Sequence, residues 1–246
     1  MTHDQGEFGL DMPTTTTEDG RTKAPVALLP IGSFEQHGPY LPLVTDTLIA
    51  TAIADSISSQ HNVFQLPALA FGCSHEHADF SGTVSIRATT LNSIVTDLID
   101  ALSSQGTRGV VIVNAHGGNY VLSNAVQEAN TKVGIRVGLF PSREDWTEAR
   151  EATGITSTNH DDMHAGELET SILLATHPGQ VLDGWQSADH SAPDRRHLAT
   201  LGMSAYTDSG VIGYPSLASA EKGHAVLDYL GKAAGDLITV LSEPRT

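Results

Sequence analysis

Glu35 and His37 stand two residues apart in the segment GSFEQHG, so an extended chain sends both side chains to one side, as ligands of one metal site or of adjacent sites must be. Asp46 follows shortly after, and a carboxylate with two oxygens can bridge the two cations of a bimetallic hydrolase. A plainer role also fits Asp46, the N-cap of the helix that follows it. His116 lies in VNAHGGN, where Gly117 and Gly118 allow a tight turn or a close approach of backbone to a ligand. Asn114 and Asn119 can orient that turn or donate to a substrate oxygen, and His116 alone could be an ordinary hydrogen-bonded residue at a rim. In HAGELETS, Glu169 reads as a further metal ligand and His164 as a proton donor to a leaving nitrogen or a stabiliser of a tetrahedral oxyanion. The helix dipole favours a carboxylate there even without function. His75, Glu76 and His77 form a further polar knot: H-x-H on an extended segment can bind a metal, His77 can equally contact substrate, and a plain solvent loop is the alternative.

The mixed oxygen and nitrogen donors suit Zn²⁺, Mn²⁺ or Fe²⁺ rather than a Cys-based structural zinc. Rival chemistries lack their marks: there is no G-x-S-x-G elbow, no P-loop, no G-x-G-x-x-G after a strand and no C-x-x-C pair. Cys73 stands alone and reads as a small core residue.

The elements that must position these residues alternate between strand and helix. APVALLPI, VFQLPALAF, RGVVIVN and IRVGLF read as strands or extended runs. Helices are predicted after Asp46, over 90–104 with Leu91, Ile94, Leu98 and Leu102 on one stripe, over 120–132, over 165–176 and over 219–241, the last capped by Ser219. Residues 141–162 read as irregular and polar. Such alternation implies an α/β fold with a mostly parallel sheet covered by helices on both faces, and the polar clusters follow strands, where open α/β sheets bind ligands. Residues 1–23 read as a flexible N-terminal tail and residues 24–246 as a single catalytic domain.

Composition narrows the partners. A formal net charge of −16 with 13 Lys and Arg argues against nucleic acid and against an anionic membrane surface, and favours metal cations and a small-molecule substrate. One cysteine, no signal-like opening and no apolar run long enough to span a bilayer lead to the expectation of a cytoplasmic protein.

Taken together, LLPIGSFEQHGPYLPLVTDT, VNAHGGN, HAGELETS and SGVIGYPSLASAEKG resemble the creatininase family of metal-dependent amidohydrolases over about Val26 to Gly223. The resemblance implies a three-layer α/β/α sandwich, two divalent ions per subunit and a homo-oligomer, often a hexamer. It implies Asp46 as the bridge, with Glu35, His37 and His116 as terminal ligands, and His164 as the catalytic histidine. Creatinine-hydrolysing members resemble H-x-E at the His116 motif, where this chain has Gly118, so Glu169 is expected to replace that ligand. The expected reaction is hydrolysis of a non-standard amide, lactam or formamide by metal-activated water. Alternatives are a peptidase trimming a small modified peptide, of the mycofactocin type, a non-catalytic metal or small-molecule binding module, and a purely structural protein.

Overall fold

A computed structural model describes residues 24–243, and the stretch read as an N-terminal tail lies outside them. Four strands, β1 (Val26–Ile31), β2 (Phe64–Gln65), β3 (Gly109–Asn114) and β4 (Arg136–Phe140), form one parallel sheet in the order β2-β1-β3-β4. The helices among them are α1 (Thr45–Gln60), α2 (Ala88–Ser104), α3 (Val121–Ala129), α4 (Arg143–Thr153), α5 (Glu167–Thr176), the single turn α6 (Leu198–Leu201) and α7 (Ala220–Ser242).

Strands β1 and β3 are apolar on both faces because both faces are covered. Leu28, Val111, Val113 and Phe140 pack with α1, α5 and α7, whereas Leu29, Ile31, Val110 and Ile112 pack with α2 and α3. The result is the three-layer α/β/α sandwich with a parallel sheet. In register, Ile31 lies opposite Asn114, so the loops leaving β1 and β3 emerge side by side at the carboxyl edge, the usual ligand crevice of such sheets.

Three expectations are corrected in detail. The buried stripe of α2 is Leu91, Val95, Ile99 and Leu102, with Ile94 at 36% exposure; two helical tracks shared Leu91 and Leu102, and contact with the sheet selects the other one. The extended run after Asn62 is a strand for only two residues, with a single further bridge from Leu69 to Ile31, and Pro67 between them has no N–H to give the ladder. The region expected to be irregular contains α4, started by a reciprocal capping box between Ser142 and Asp145 and ended by Gly154 at φ 74°. Its sequence, REDWTEAREAT, carries too few apolar residues to show a stripe.

Helix α4 is tied to the loop before α5 through a buried ion pair, Arg150 Nη1 to Asp162 Oδ2 at 3.0 Å. Asp162 also accepts the backbone N–H groups of Glu167 (2.6 Å), Leu168 (3.1 Å) and Tyr214 (3.2 Å), which fixes the start of α5. Removing one partner of a buried pair strands the other charge. Asp162→Ala is therefore expected to lower unfolding free energy by about 3–5 kcal/mol in urea titration; a loss under about 1 kcal/mol would contradict the role assigned to this pair.

Candidate metal centre

Gly32 ends β1 against the start of α1: a Cβ there would stand 2.3 Å from the Thr47 backbone nitrogen, so only glycine lets the loop and helix approach this closely. That approach delivers Asp46 to the loop carrying Glu35 and His37. Asp46 is not the N-cap, which is Val44 without a side-chain bond; it sits in the first turn with its carboxylate turned inward. Its Oδ1 lies 3.0 Å from His37 Nε2, and its Oδ2 lies 3.1 Å from His116 Nδ1 and accepts Ser33 Oγ–H at 2.7 Å. Each oxygen thus faces a different imidazole.

Glu35 is fully buried, and neither carboxylate oxygen has a hydrogen-bond partner. His77 Nε2 and His116 Nε2 each stand 3.3 Å away, and His164 Nδ1 stands at 3.7 Å. A buried, orphaned carboxylate is costly unless a cation completes it, so the donor set fits a metal. Ligand atoms lie within 4.8 Å of one another in three groups: Glu35, Asp46 and His116; His37, Asp46 and Glu169; and Glu35, His37 and His164. Asp46 is common to the first two.

The surrounding hydrogen bonds fix which ring nitrogens are free. His37 Nδ1–H donates to the Glu35 carbonyl at 3.1 Å and His116 Nε2–H to the Cys73 carbonyl at 2.9 Å, so His37 Nε2 and His116 Nδ1 are the nitrogens that face Asp46 and that would become lone pairs for a metal once deprotonated. Gln36 donates through Nε2 to His77 Nδ1 at 2.8 Å, so His77 presents Nε2–H to Glu35. His164 Nε2–H donates to the Gln36 carbonyl at 2.6 Å, which leaves its Nδ1 unprotonated and facing the cluster. His164 is clamped by paired backbone bonds with Ile212, and the next residue, Ala165, holds φ 54°, a strained value for a side chain with Cβ. The Ala165 N–H donates to Glu169 Oε2 at 2.6 Å, and that carboxylate lies 3.8 Å from His37 Nε2.

Electrostatically the cluster is a set of opposed charges. Burial and Asp46 push Glu35 up, but His116 and His77 outweigh them and hold it at about 2. Asp46 is likewise held well below the carboxylate range, against burial, by His37 and His116. Burial works against charge on His37, yet Asp46, Glu169 and Glu35 raise it to about 9; Glu35 and Asp46 raise His116 well above its ordinary value in the same way. Protons on these two rings play the part a cation would. Burial, then His37 and His77, keep His164 neutral, with its pKa well below the usual value, and burial lowers His77 to about 4. Burial raises Glu169 to about 7, with Asp46 adding to it and His37 opposing.

The remaining sequence candidates fall into two sets. Gly117 and Gly118 border the cluster, in cavities of about 430 Å³ and 130 Å³ that share His116, Gly117, His164 and Glu169. Asn114 borders the larger cavity but binds His116 through Nδ2–H to its carbonyl at 2.8 Å, and Asn119 is committed to Cys73 N–H, the Gly32 carbonyl and Asn114. Both asparagines shape the turn that holds His116. A Cβ at Gly118 would lie 2.3 Å from Glu76 Oε1, 2.4 Å from His116 Nε2 and 2.5 Å from the Cys73 carbonyl oxygen, so a larger side chain there requires the backbone to shift, and the Glu76 carboxylate fills the space. Ser33 and Gln36 were not singled out by spacing; Gln36, flanked by the two ligand candidates, orients His77 and His164, and only its neighbours hinted at it.

Comparison with known proteins agrees with this architecture. A peptidase of the mycofactocin precursor peptide from Mycobacterium ulcerans is 35% identical over 234 residues, covering 90% of this chain and 86% of the relative. Creatinine amidohydrolase of Pseudomonas putida is 26% identical, covering 87% and 88%. A solved manganese creatininase superposes with a TM-score of 0.80 at 22% identity, covering 94% of this chain and 98% of the other. Residues 11–238 match the family model described as creatinine amidohydrolase, and the chain belongs to the creatininase family.

Proposed function

We propose that the chain is a divalent-metal-dependent amidohydrolase that cleaves an amide C–N bond, and that a short precursor peptide suits it better than creatinine. The observation that carries the reading is the convergence of Glu35, His37, Asp46, His116 and Glu169 about a buried carboxylate with no hydrogen-bond partner. Glu35, Asp46 and His116 would hold one ion, and His37, Asp46 and Glu169 the second, with Asp46 shared. Zn²⁺, Mn²⁺ and Fe²⁺ all accept these donors. When bound, such ions lower the pKa of water and polarise an amide carbonyl.

The protein's own part in the reaction lies with His164. Its Nε2–H is anchored on the Gln36 carbonyl, and its neutral Nδ1 accepts a proton from the attacking water and returns it to the departing amine. Gln36 orients His77, whose Nε2 stands 3.3 Å from Glu35 Oε1 at the edge of the ligand cluster. Two observations favour a peptide over creatinine: the 35% identity to the peptidase against 26% to creatinine amidohydrolase, and Gly118 where creatinine-hydrolysing members are expected to carry a glutamate. The same reading carries a single catalytic domain, a homo-oligomer and a cytoplasmic location without nucleic-acid or membrane partners. It is in keeping with the net charge of −16 and with the lack, among the described residues, of a helix long and apolar enough to cross a membrane.

Exhaustive chelation is expected to abolish hydrolysis of a panel of N-formyl amides, N-acyl amides and short peptides, and Mn²⁺, Zn²⁺ or Fe²⁺ to restore it. Loading must displace protons from His37 and His116, so metal affinity falls as pH drops below the His37 value of about 9. Full turnover by protein shown by elemental analysis to be metal-free would contradict the proposal.

A further inference from the structure

The larger cavity, about 430 Å³, runs from His116, His164 and Glu169 to Arg143 and Trp146 of α4, and three of the chain's 13 Lys and Arg residues, Arg143, Arg150 and Arg195, line it. In a chain with a net charge of −16 this is an unusual concentration of cations. Their commitments differ. Arg150 is consumed by Asp162, Ser157 and Asn159. Arg195 donates only to neutral partners, the carbonyls of Ala192 and His160 and the Met163 sulfur, and has no carboxylate within ion-pair distance among the described residues. The Arg143 guanidinium has neither an ion pair nor a hydrogen bond with any described residue, and the Trp146 indole N–H has no acceptor among them. The acidic groups of this cavity are spoken for: Asp162 by Arg150 and backbone N–H groups, Glu169 by the metal cluster. What the cavity leaves uncommitted is therefore donors and positive charge, beside the apolar side chains of Ile49, Leu168 and Ile172.

We infer that this cavity is a substrate subsite for an anionic group, a carboxylate or a phosphate monoester carried on an apolar or aromatic body, with Arg143 as the specificity-determining residue. A guanidinium binds either oxyanion through two parallel N–H donors, the indole N–H adds a third, and the Trp146 ring offers a face to the body. The inference rests on the amidohydrolase reading for its reaction, but the subsite itself is testable by binding alone. The Arg143 side chain is exposed and only its backbone carbonyl serves the fold, accepting from Thr147 and Asn159, so replacing the side chain leaves the packing intact.

The test compares wild type and Arg143→Gln, both metal-loaded, on three formanilides that differ only at the para position: carboxylate, phosphate ester and neutral carboxamide. Wild type is expected to prefer one or both anionic probes through a lower KM, and Arg143→Gln to reduce the ratio of kcat/KM for that probe over the carboxamide by about tenfold or more. Preference for the carboxylate alone or the phosphate alone identifies the anion. Calorimetric binding of 4-aminobenzoate and 4-aminophenyl phosphate to both proteins separates the two readings. If no formanilide is hydrolysed but anion affinity falls about tenfold in Arg143→Gln, the subsite stands, and the amidohydrolase reading fails only if short peptides carrying the same anion are inert as well. If the probes are hydrolysed with no anionic preference, or with a preference that survives Arg143→Gln, the subsite is overturned.

Discussion

Asp46→Asn is expected to strip the protein of both metal ions and to lower turnover by at least about 10³-fold, the scale lost when a principal transition-state stabiliser is removed. The reason is its position between two ligand groups: Oδ1 faces His37 and Oδ2 faces His116, and Asp46 is the residue common to the Glu35–Asp46–His116 and His37–Asp46–Glu169 groups. Asparagine keeps an oxygen to accept Ser33 Oγ–H, so the first turn of α1 should hold while the charge and the second oxygen are lost. Glu169→Gln provides the contrast, because that residue belongs to one group only and its loss should release one ion. Metal content by elemental analysis checks both variants. An Asp46→Asn protein with wild-type metal content would contradict the shared role.

The second large effect concerns His164, whose ring could serve the metal or the proton. Its Nδ1 lies 3.7 Å from Glu35 Oε1, within one of the three possible ligand groups, yet its Nε2–H is fixed on a backbone carbonyl and its strongly lowered pKa keeps it a neutral base. His164→Asn is expected to reduce kcat by about 10²- to 10⁴-fold with the metal content unchanged. Loss of an ion together with activity would reassign His164 as a ligand. Unchanged kcat would remove it from the reaction.

These effects explain why part of the site could be read along the chain and part could not. Glu35, His37 and His116 follow the strands β1 and β3, which announce themselves as apolar on both faces, and Ile31 opposite Asn114 brings their loops together. Asp46 carried two readings because a carboxylate at a helix start is ordinary; the inward turn of its side chain is a fact of packing, set by Gly32, that no spacing expresses. Gln36 and Ser33 are common loop residues whose only distinction is what they touch. Helix α4, which brings Arg143 and Trp146 to the cavity, is polar along most of its length, and a helix without an apolar stripe is visible only through its caps, Ser142 with Asp145 and then Gly154. The face of α2 was ambiguous for a related reason, since two tracks of apolar residues ran along it and the sheet selected one.

Gly118 shows a local rule overridden by a distant residue. Glycines after a strand suggest a turn, and Gly117 meets nothing within 4 Å at its Cβ position. Gly118 is different in kind, because Glu76 from the His75–His77 turn occupies the space beside it, only 3.9 Å from His116 Nε2. The carboxylate that stands with His37 and Asp46 is Glu169 of α5, which the proposal makes the replacement ligand. A strained Ala165 and the Asp162 brace hold that helix start, so stability and site geometry depend on the same few residues.

Anomalous diffraction from crystals of the protein loaded with Mn²⁺ or Zn²⁺ locates the ions themselves. Two peaks are expected in each chain, both in contact with the Asp46 carboxylate, one also with Glu35 and His116 and the other with His37 and Glu169. A single ion away from Asp46, or two ions that do not share it, would rule out Asp46 as the shared ligand.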